Sequence, residues 1–244
     1  MWKTIFNIIF PISCLGCNRE KEFICSDCFE KIEMNEKLYF DKTDILKKTF
    51  VAGHHEDELL KQAIYRYKYD FIKDLAKPLG KLMSNKLSKS IKRKRNLKKF
   101  ILIPIPLHPK RLRWRGFNQA ELLAQIVSQE LNIPIINNLL IRTKHTLPQV
   151  KIQKAFQRRQ NVYNVFKLKG RARKMNKKGR ASRATSLTSV DGRVYSRGTA
   201  FEYSTKTFIL VDDISTTSAT LKEAARVLNA LKPKQIWGLV LTRG

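Results

Sequence analysis

Acidic residues are scarce in this chain. Its 244 residues carry 20 Asp and Glu against 49 Lys and Arg, a formal charge of +29. Such an excess repels itself and attracts polyanions, with nucleic acid the natural partner and an anionic membrane surface second. A basic proteome or a solvated tail is the bland alternative, because net charge alone selects no ligand. Long apolar runs are missing as well. The start, 1–10, is apolar with Trp2, Ile5, Phe6 and Ile9 at helical spacing, yet it is too short to span a bilayer. No transmembrane segment is expected. No small-residue cleavage site precedes the first cysteine, which argues against a signal peptide. The segment reads as a helix packed on the domain or lying on a membrane, in a cytoplasmic protein. The glycine-rich, lysine-bearing loop of nucleotide triphosphatases is absent, and so is an amino-terminal catalytic cysteine of the glutamine amidotransferase kind. The 43% hydrophobic content is enough for one α/β domain plus a small extra module.

Cysteine is absent outside one short stretch, where Cys14-x-x-Cys17 and Cys25-x-x-Cys28 stand seven residues apart. Two such pairs offer four thiolates on two tight turns, the donor set of a tetrahedral Zn²⁺ site. With all four positions filled, the role is structural rather than catalytic. Disulfides, disfavoured in a reducing compartment, and an iron–sulfur cluster are the competing readings. A module this small needs its metal to fold.

The most informative stretch is Phe208-Ile-Leu-Val-Asp-Asp-Ile-Ser-Thr-Thr-Ser-Ala-Thr220. Four apolar residues run into two carboxylates, and a small hydroxyl-rich loop follows. Beyond it, 221–231 reads as a helix with Leu221, Ala224, Ala225, Leu228 and Leu231 on one face. A buried strand feeding a loop that opens a helix is a phosphate site in α/β proteins, because first-turn N–H groups and the helix dipole face the anion. Thr216, Thr217 and Thr220 add hydroxyl donors. Two acids just before that loop suit vicinal hydroxyls beside a phosphate, as in a ribose 5-phosphate. The bland reading is an Asp pair capping a helix.

This segment resembles the motif with which type I phosphoribosyltransferases bind phosphoribosyl pyrophosphate (PRPP). The resemblance implies that Asp212 and Asp213 accept hydrogen bonds from the ribose hydroxyls with Mg²⁺ nearby, as the catalytic acids. It also implies that Ser215, Thr216, Thr217, Ser218, Ala219 and Thr220, within a loop from Ile214 to Thr220, wrap the 5-phosphate. The family usually has glycine where Ser218 stands. If positive φ is required there, serine costs about 1 kcal/mol.

Upstream, 48–53 is a strand candidate and 56–69 has helical spacing of Leu59, Leu60, Ala63, Ile64 and Tyr67. From Ser84 to Phe100 there are eight Lys or Arg and no acid, read as the solvated end of a helix and a loop, with nucleic acid phosphates a secondary partner. Phe100-Ile-Leu-Ile-Pro-Ile-Pro106 is a buried strand ending in prolines. Lys110, Arg111, Arg113 and Arg115 then crowd the carboxyl end of that strand, the edge where open α/β sheets bind ligands. Guanidinium groups there can grip pyrophosphate oxygens bidentately. His108 reads equally as structural or functional. An amphipathic helix through Leu131 and a strand from Ile135 to Arg142 follow.

The cysteine segment opening Phe10-Pro-Ile-Ser-Cys-Leu-Gly-Cys17, the pair Lys68-Tyr69, the run Arg115-Gly-Phe-Asn118 after a proline-flanked strand, and Gln149 with 156–166 are similar to the ComF family in the family's order. That resemblance covers the cysteine segment, 49–168 and 207–243. It implies a zinc module, 1–35 with the amino-terminal helix, ahead of a phosphoribosyltransferase-like parallel-sheet domain, 45–244. It further implies that Lys68, Arg111, Arg113 and Arg115 reach the pyrophosphate, and that Arg158 and Asn161 belong to a hood closing over the substrate. Gln157 stands where the family often has an acid. The segment at about 168–206 does not fit: it reads as an insertion of roughly 30 residues, mostly disordered, either a basic arm for single-stranded nucleic acid or a tolerated insertion. Members of the family are associated with natural competence and single-stranded DNA, which points to the DNA-uptake machinery as a partner. Three readings stay open: a PRPP- and DNA-binding competence factor, a working transferase that passes ribose 5-phosphate to a nitrogen nucleophile with release of pyrophosphate, and a nucleic-acid-binding protein with a dead ligand site.

Overall fold

A five-stranded sheet with four parallel strands organises the computed structural model, which describes residues 12–41, 45–91, 97–146, 161–169, 187–188, 194–195 and 203–244. In chain order, the first half contains α1 (Ser26–Glu30), β1 (Leu38–Phe40), β2 (Lys48–Val51), α2 (Glu58–Tyr69), α3 (Ala76–Ile91) and β3 (Phe100–Pro104). There follow α4 (Pro109–Arg115), α5 (Gln119–Leu131), β4 (Leu140–Arg142), β5 (Phe166–Leu168), β6 (Leu187–Thr188) and β7 (Val194–Tyr195). The last part holds β8 (Thr207–Val211), β9 (Ile214–Ser215), α6 (Ala219–Leu228), β10 (Gln235–Val240) and β11 (Thr242–Arg243).

The sheet order is β1-β2-β10-β8-β3, with β1 antiparallel on the edge and the other neighbours parallel. Every residue of β3 and β8 is buried, as expected of parallel strands covered on both faces. Side chains alternate between the faces. Phe50, Leu102, Ile209, Val211, Trp237 and Leu239 pack with α2, α3 and α5, whereas Val51, Ile101, Ile103, Phe208, Leu210 and Val240 pack with α6. Because β2, β3, β8 and β10 run the same way, their carboxyl ends share one edge, and the acid pair leaves β8 there.

Helix α3 corrects the expectation of a solvated segment from Ser84. Ser84, Lys86, Leu87 and Ile91 are buried, and Lys86 Nζ donates to the Asn35 carbonyl. Pro78 sits in the first turn of α3, where a missing N–H costs little. Gly80 is where α5 crosses: a Cβ there would stand 2.6 Å from Ile126 Cβ. The sequence reads as the end of a helix here; its start at Ala76 is hidden because proline and glycine fall near it. Residues 92–96 lie outside the described residues.

The strand expected over Ile135–Arg142 is divided. Ile135 bridges in parallel to Leu102, and Leu140–Arg142 pairs antiparallel with β5. A turn at Asn137 and Asn138 separates them, a residue type that favours turns. The helix read as 221–231 begins earlier, at Ala219, and ends in a 3-10 turn at Asn229–Leu231. Within the expected insertion, Leu187 pairs with Tyr195 and Thr188 with Val194. Tyr203 is buried with its ring 5.2 Å from Phe208. The amino-terminal helix reading and most of the insertion fall outside the described residues. Cys14, Ile24, Cys25, Cys28 and Ile32 share a core with Phe50 and Leu60, so the cysteine segment packs on the sheet domain. No helix among the described residues is long and apolar enough to cross a membrane.

Candidate functional site

The four cysteines converge. Their Sγ atoms all lie within 4.8 Å of one another, and Cys17 and Cys25 are 3.6 Å apart. A tetrahedron with Zn–S bonds of about 2.3 Å sets its sulfurs roughly 3.8 Å apart, so the donor set fits Zn²⁺. The first knuckle turns on the Asn18 N–H bond to the Cys14 carbonyl, 2.8 Å, with Asn18 at φ 61. The second places Cys25 at the start of α1, with Cys28 one turn in. Burial raises the Cys14 thiol, but N–H groups of Cys25, Gly16 and Cys17 outweigh it and bring it down to about 6. A backbone cradle thus favours the thiolate, the metal-binding form. Burial, then the sulfurs around it, push Cys28 up to about 12. Gly16 is required by contact: a Cβ there would lie 2.8 Å from Cys28 Sγ.

The second site forms at the carboxyl edge of the sheet. Asp212 and Asp213 are half-buried. Asp213 N–H donates to Asp212 Oδ1 at 2.9 Å, and Ile214 N–H to Asp213 Oδ1 at 2.6 Å. Lys68, at the end of α2, places Nζ 3.0 Å from Asp213 Oδ2. Burial and then the Asp213 charge raise the Asp212 carboxyl to about 7, against the pull of Lys68 and Arg142. After the acids the chain makes β9, paired in parallel with β11, so the loop expected from Ile214 narrows to Thr216–Ser218. Ser215 and Ser218 hydroxyls are 3.1 Å apart. Ser218 precedes α6 at φ 57, ψ 13, the left-handed region that glycine takes without cost. Ala219 and Thr220 open α6. Thr217 Oγ1 is buried without a protein hydrogen-bond partner.

The arginine segment forms the short helix α4. His108 caps α4 by accepting from Lys110 N–H at 3.2 Å, and Gly116 at φ 76 ends it. On a helix, Arg111 and Arg115 share a face and Arg113 lies opposite. Arg113 is exposed, while Arg111 and Arg115 are half-buried. Arg111 reaches the Thr146 carbonyl at 3.4 Å. Burial lowers Arg115, and the Asp213 charge opposes that shift; its Nε is buried without a protein partner. Asn161 is half-buried near the start of the 161–169 segment, and Arg158 lies outside the described residues.

Two further residues border the acids without having been singled out. Arg142, at the end of β4, donates to Thr146 Oγ1 at 2.6 Å and feels both Arg111 and Asp212. The signal was an arginine closing an apolar run, Leu139-Leu-Ile. Tyr67 is fully buried and donates to the Gln119 carbonyl at 2.9 Å. Burial, and then the charge of Asp213, raise its phenol. Lys68, Arg115 and Arg142 therefore act on the two carboxylates, with Arg111 close to both arginines, a cationic excess that suits a ligand of several negative charges.

The fold and its two centres define a class: a parallel-sheet α/β protein with a four-thiol cluster and an acid pair at the sheet's mouth. The chain belongs to the competence protein F family. It is 30% identical to competence protein F of Haemophilus influenzae over 240 residues, 93% of this chain and 89% of that protein. It is also 29% identical over 143 residues to the DNA utilization protein YhgH of Escherichia coli O157:H7, spanning 58% of this chain and 49% of that one. No protein-family model matches the chain. The structure of the AQ2163 protein from Aquifex aeolicus superposes at a TM-score of 0.35 with 13% identity, covering 77% of this chain and 85% of the other; so weak a likeness carries no argument.

Proposed function

We propose that this protein binds PRPP through a type I phosphoribosyltransferase-like domain and acts in natural competence, handling incoming single-stranded DNA in the cytoplasm beside the uptake machinery. The observation that carries this reading is the cationic excess around Asp212 and Asp213 at the carboxyl edge of a parallel sheet. In this reading the acids take the ribose hydroxyls and offer oxygen ligands to Mg²⁺. Thr216 to Thr220 and the first turn of α6 take the 5-phosphate. Arg111 and Arg115 face the pyrophosphate, with Arg113 set apart. Lys68 holds Asp213 in place and passes to the ligand when the hydroxyls displace it. Zn²⁺ fills the cysteine cluster as a structural ion. The relatives' names, a competence protein and a DNA utilization protein, support the cellular role. In the cell that encodes this chain, its removal is expected to lower transformation by linear DNA, and an Asp212→Asn, Asp213→Asn chain should not restore it. Unchanged transformation after removal contradicts the reading.

A second reading, favoured by the Asp212 carboxyl at about 7, is turnover. A group poised near neutral pH can accept a proton from a nitrogen nucleophile as that nucleophile bonds to ribose C1 and pyrophosphate leaves. Pyrophosphate release from PRPP in the presence of a panel of bases would establish it. No release above the Asp212→Asn background would refute it.

A further inference from the structure

We propose that Tyr65, Tyr69, Phe71 and Trp114 form a stacking platform for single-stranded nucleic acid, with Lys110 and Arg113 holding its phosphates. The identity of the occupant rests on the DNA-handling reading above; the platform itself rests on geometry. Tyr65, Tyr69 and Trp114 are 58%, 45% and 66% exposed; among the described residues only Phe40 and Tyr163 are other rings as open to solvent. Tyr65 and Tyr69 stand one turn apart on α2 with ring centroids separated by 4.9 Å. Phe71, turned back at φ 57, meets Trp114 edge-on at 5.0 Å. Arg115 joins the two pairs: its guanidinium lies 5.9 Å from the Trp114 ring, and the Tyr69 hydroxyl acts on its charge. The aromatic row therefore reaches the same arginine that faces Asp213.

Phe71 packs against the core and anchors the row, but packing does not account for the exposure of Tyr65, Tyr69 and Trp114. Helix α4 buries none of its residues, so its cap at His108 and its stop at Gly116 hold up a helix that displays Trp114, Lys110 and Arg113 to solvent. Exposed aromatic faces between cations match a polyanion whose bases are unpaired, because every base has a π-face and a duplex hides its own. Arg113, pointing away from the acid pair, finds a role here that the pyrophosphate reading leaves it without.

The test is fluorescence anisotropy of a labelled oligothymidylate with the full chain, across a salt series. Trp114→Ala is expected to weaken binding roughly tenfold, as the loss of one base–aromatic stack does, with the salt slope unchanged. Trp114→Phe should restore most of the affinity, which guards against a folding defect. Arg113→Gln should instead lower the slope of log K against log salt by about 0.7, one phosphate contact on a single strand. Phe40→Ala, an exposed ring on the edge strand β1, should change neither quantity, and duplex DNA of equal length should be insensitive to Trp114→Ala. Wild-type binding left intact by Trp114→Ala would overturn the platform while sparing the DNA reading. Failure of the wild-type chain to bind oligothymidylate at low salt would sink both. An equal loss on phosphatidylglycerol vesicles would make this face a lipid surface and overturn the proposal.

Discussion

Lys68 Nζ stands 3.0 Å from Asp213 Oδ2, and both side chains are largely withdrawn from water, 16% and 13% exposed. The pair ties the end of α2 to the end of β8 and sets the separation of the acid pair from its surrounding cations. Removing one partner takes from the other its direct ion pair in a site withdrawn from water. Lys68→Met is expected to destabilise the chain by roughly 3 kcal/mol, read from the urea midpoint, and adding Asp213→Asn should recover most of that loss. A shift no larger than that of an exposed lysine would show the pair to be idle.

Asp212 makes stability depend on pH. Its carboxyl is raised to about 7 by burial and by Asp213, so the folded chain holds the proton more tightly than the unfolded one. This group therefore costs nothing below the ordinary carboxylate range. Its penalty grows as pH climbs towards 7 and is complete above it. Asp212→Asn removes the penalty, and the variant should exceed the wild type in stability at pH 8 and converge with it near pH 4. The difference is of order a few kcal/mol. Parallel stability curves over that interval would refute the assignment.

Ser218 sits at φ 57, where a side chain is strained by about 1 kcal/mol. Ser218→Gly should be neutral to slightly stabilising, because relief of strain is partly offset by loss of the Ser215 contact at 3.1 Å. Ser218→Val should be clearly destabilising, since a branched side chain is a genuine outlier in that region. Thermal midpoints of the two variants decide. Equal midpoints would mean that the left-handed turn is not retained.

The thiol cluster shares its core with Phe50 and Leu60. Metal removal should therefore lower the thermal midpoint of the whole chain rather than release a separate module. Gly16→Ala, whose Cβ would press on Cys28 Sγ at 2.8 Å, should reduce zinc content measured by elemental analysis. A full complement of zinc in that variant, or an unchanged midpoint after chelation, contradicts a structural metal at this position.

The elements with strong local signals were legible in the sequence. Phe208–Val211 and Phe100–Pro104 are continuous apolar runs, and they are adjacent parallel strands, β8 inside the sheet and β3 at its end. The paired Cys-x-x-Cys spacing located the cluster, and Asp212-Asp213 located the mouth of the sheet. Positive φ at Ser218 was legible only as a condition, from the glycine usual there in the resembled family, and the backbone meets it at φ 57. What stayed hidden depends on contacts distant in sequence. Helix α3 carries Pro78 and Gly80 near its start, and Gly80 makes sense only against Ile126. Lys86 looked solvated until its bond to the Asn35 carbonyl placed it inside. Arg142 joins the site only because β4 folds back on β5. Glu223 lies on the buried side of α6, held by Arg226 at 2.8 Å and by the Asn164 N–H at 2.9 Å, a clamp that helical periodicity alone does not show.

The central claim is that the acid pair binds a phosphoribosyl ligand, and calorimetric titration of the zinc-loaded chain with PRPP and Mg²⁺ tests it most directly. The account predicts micromolar binding by the wild-type chain and none by a folded Asp212→Asn, Asp213→Asn double variant. Absence of binding by a folded, zinc-loaded wild-type chain, or equal binding by the variant, would contradict it.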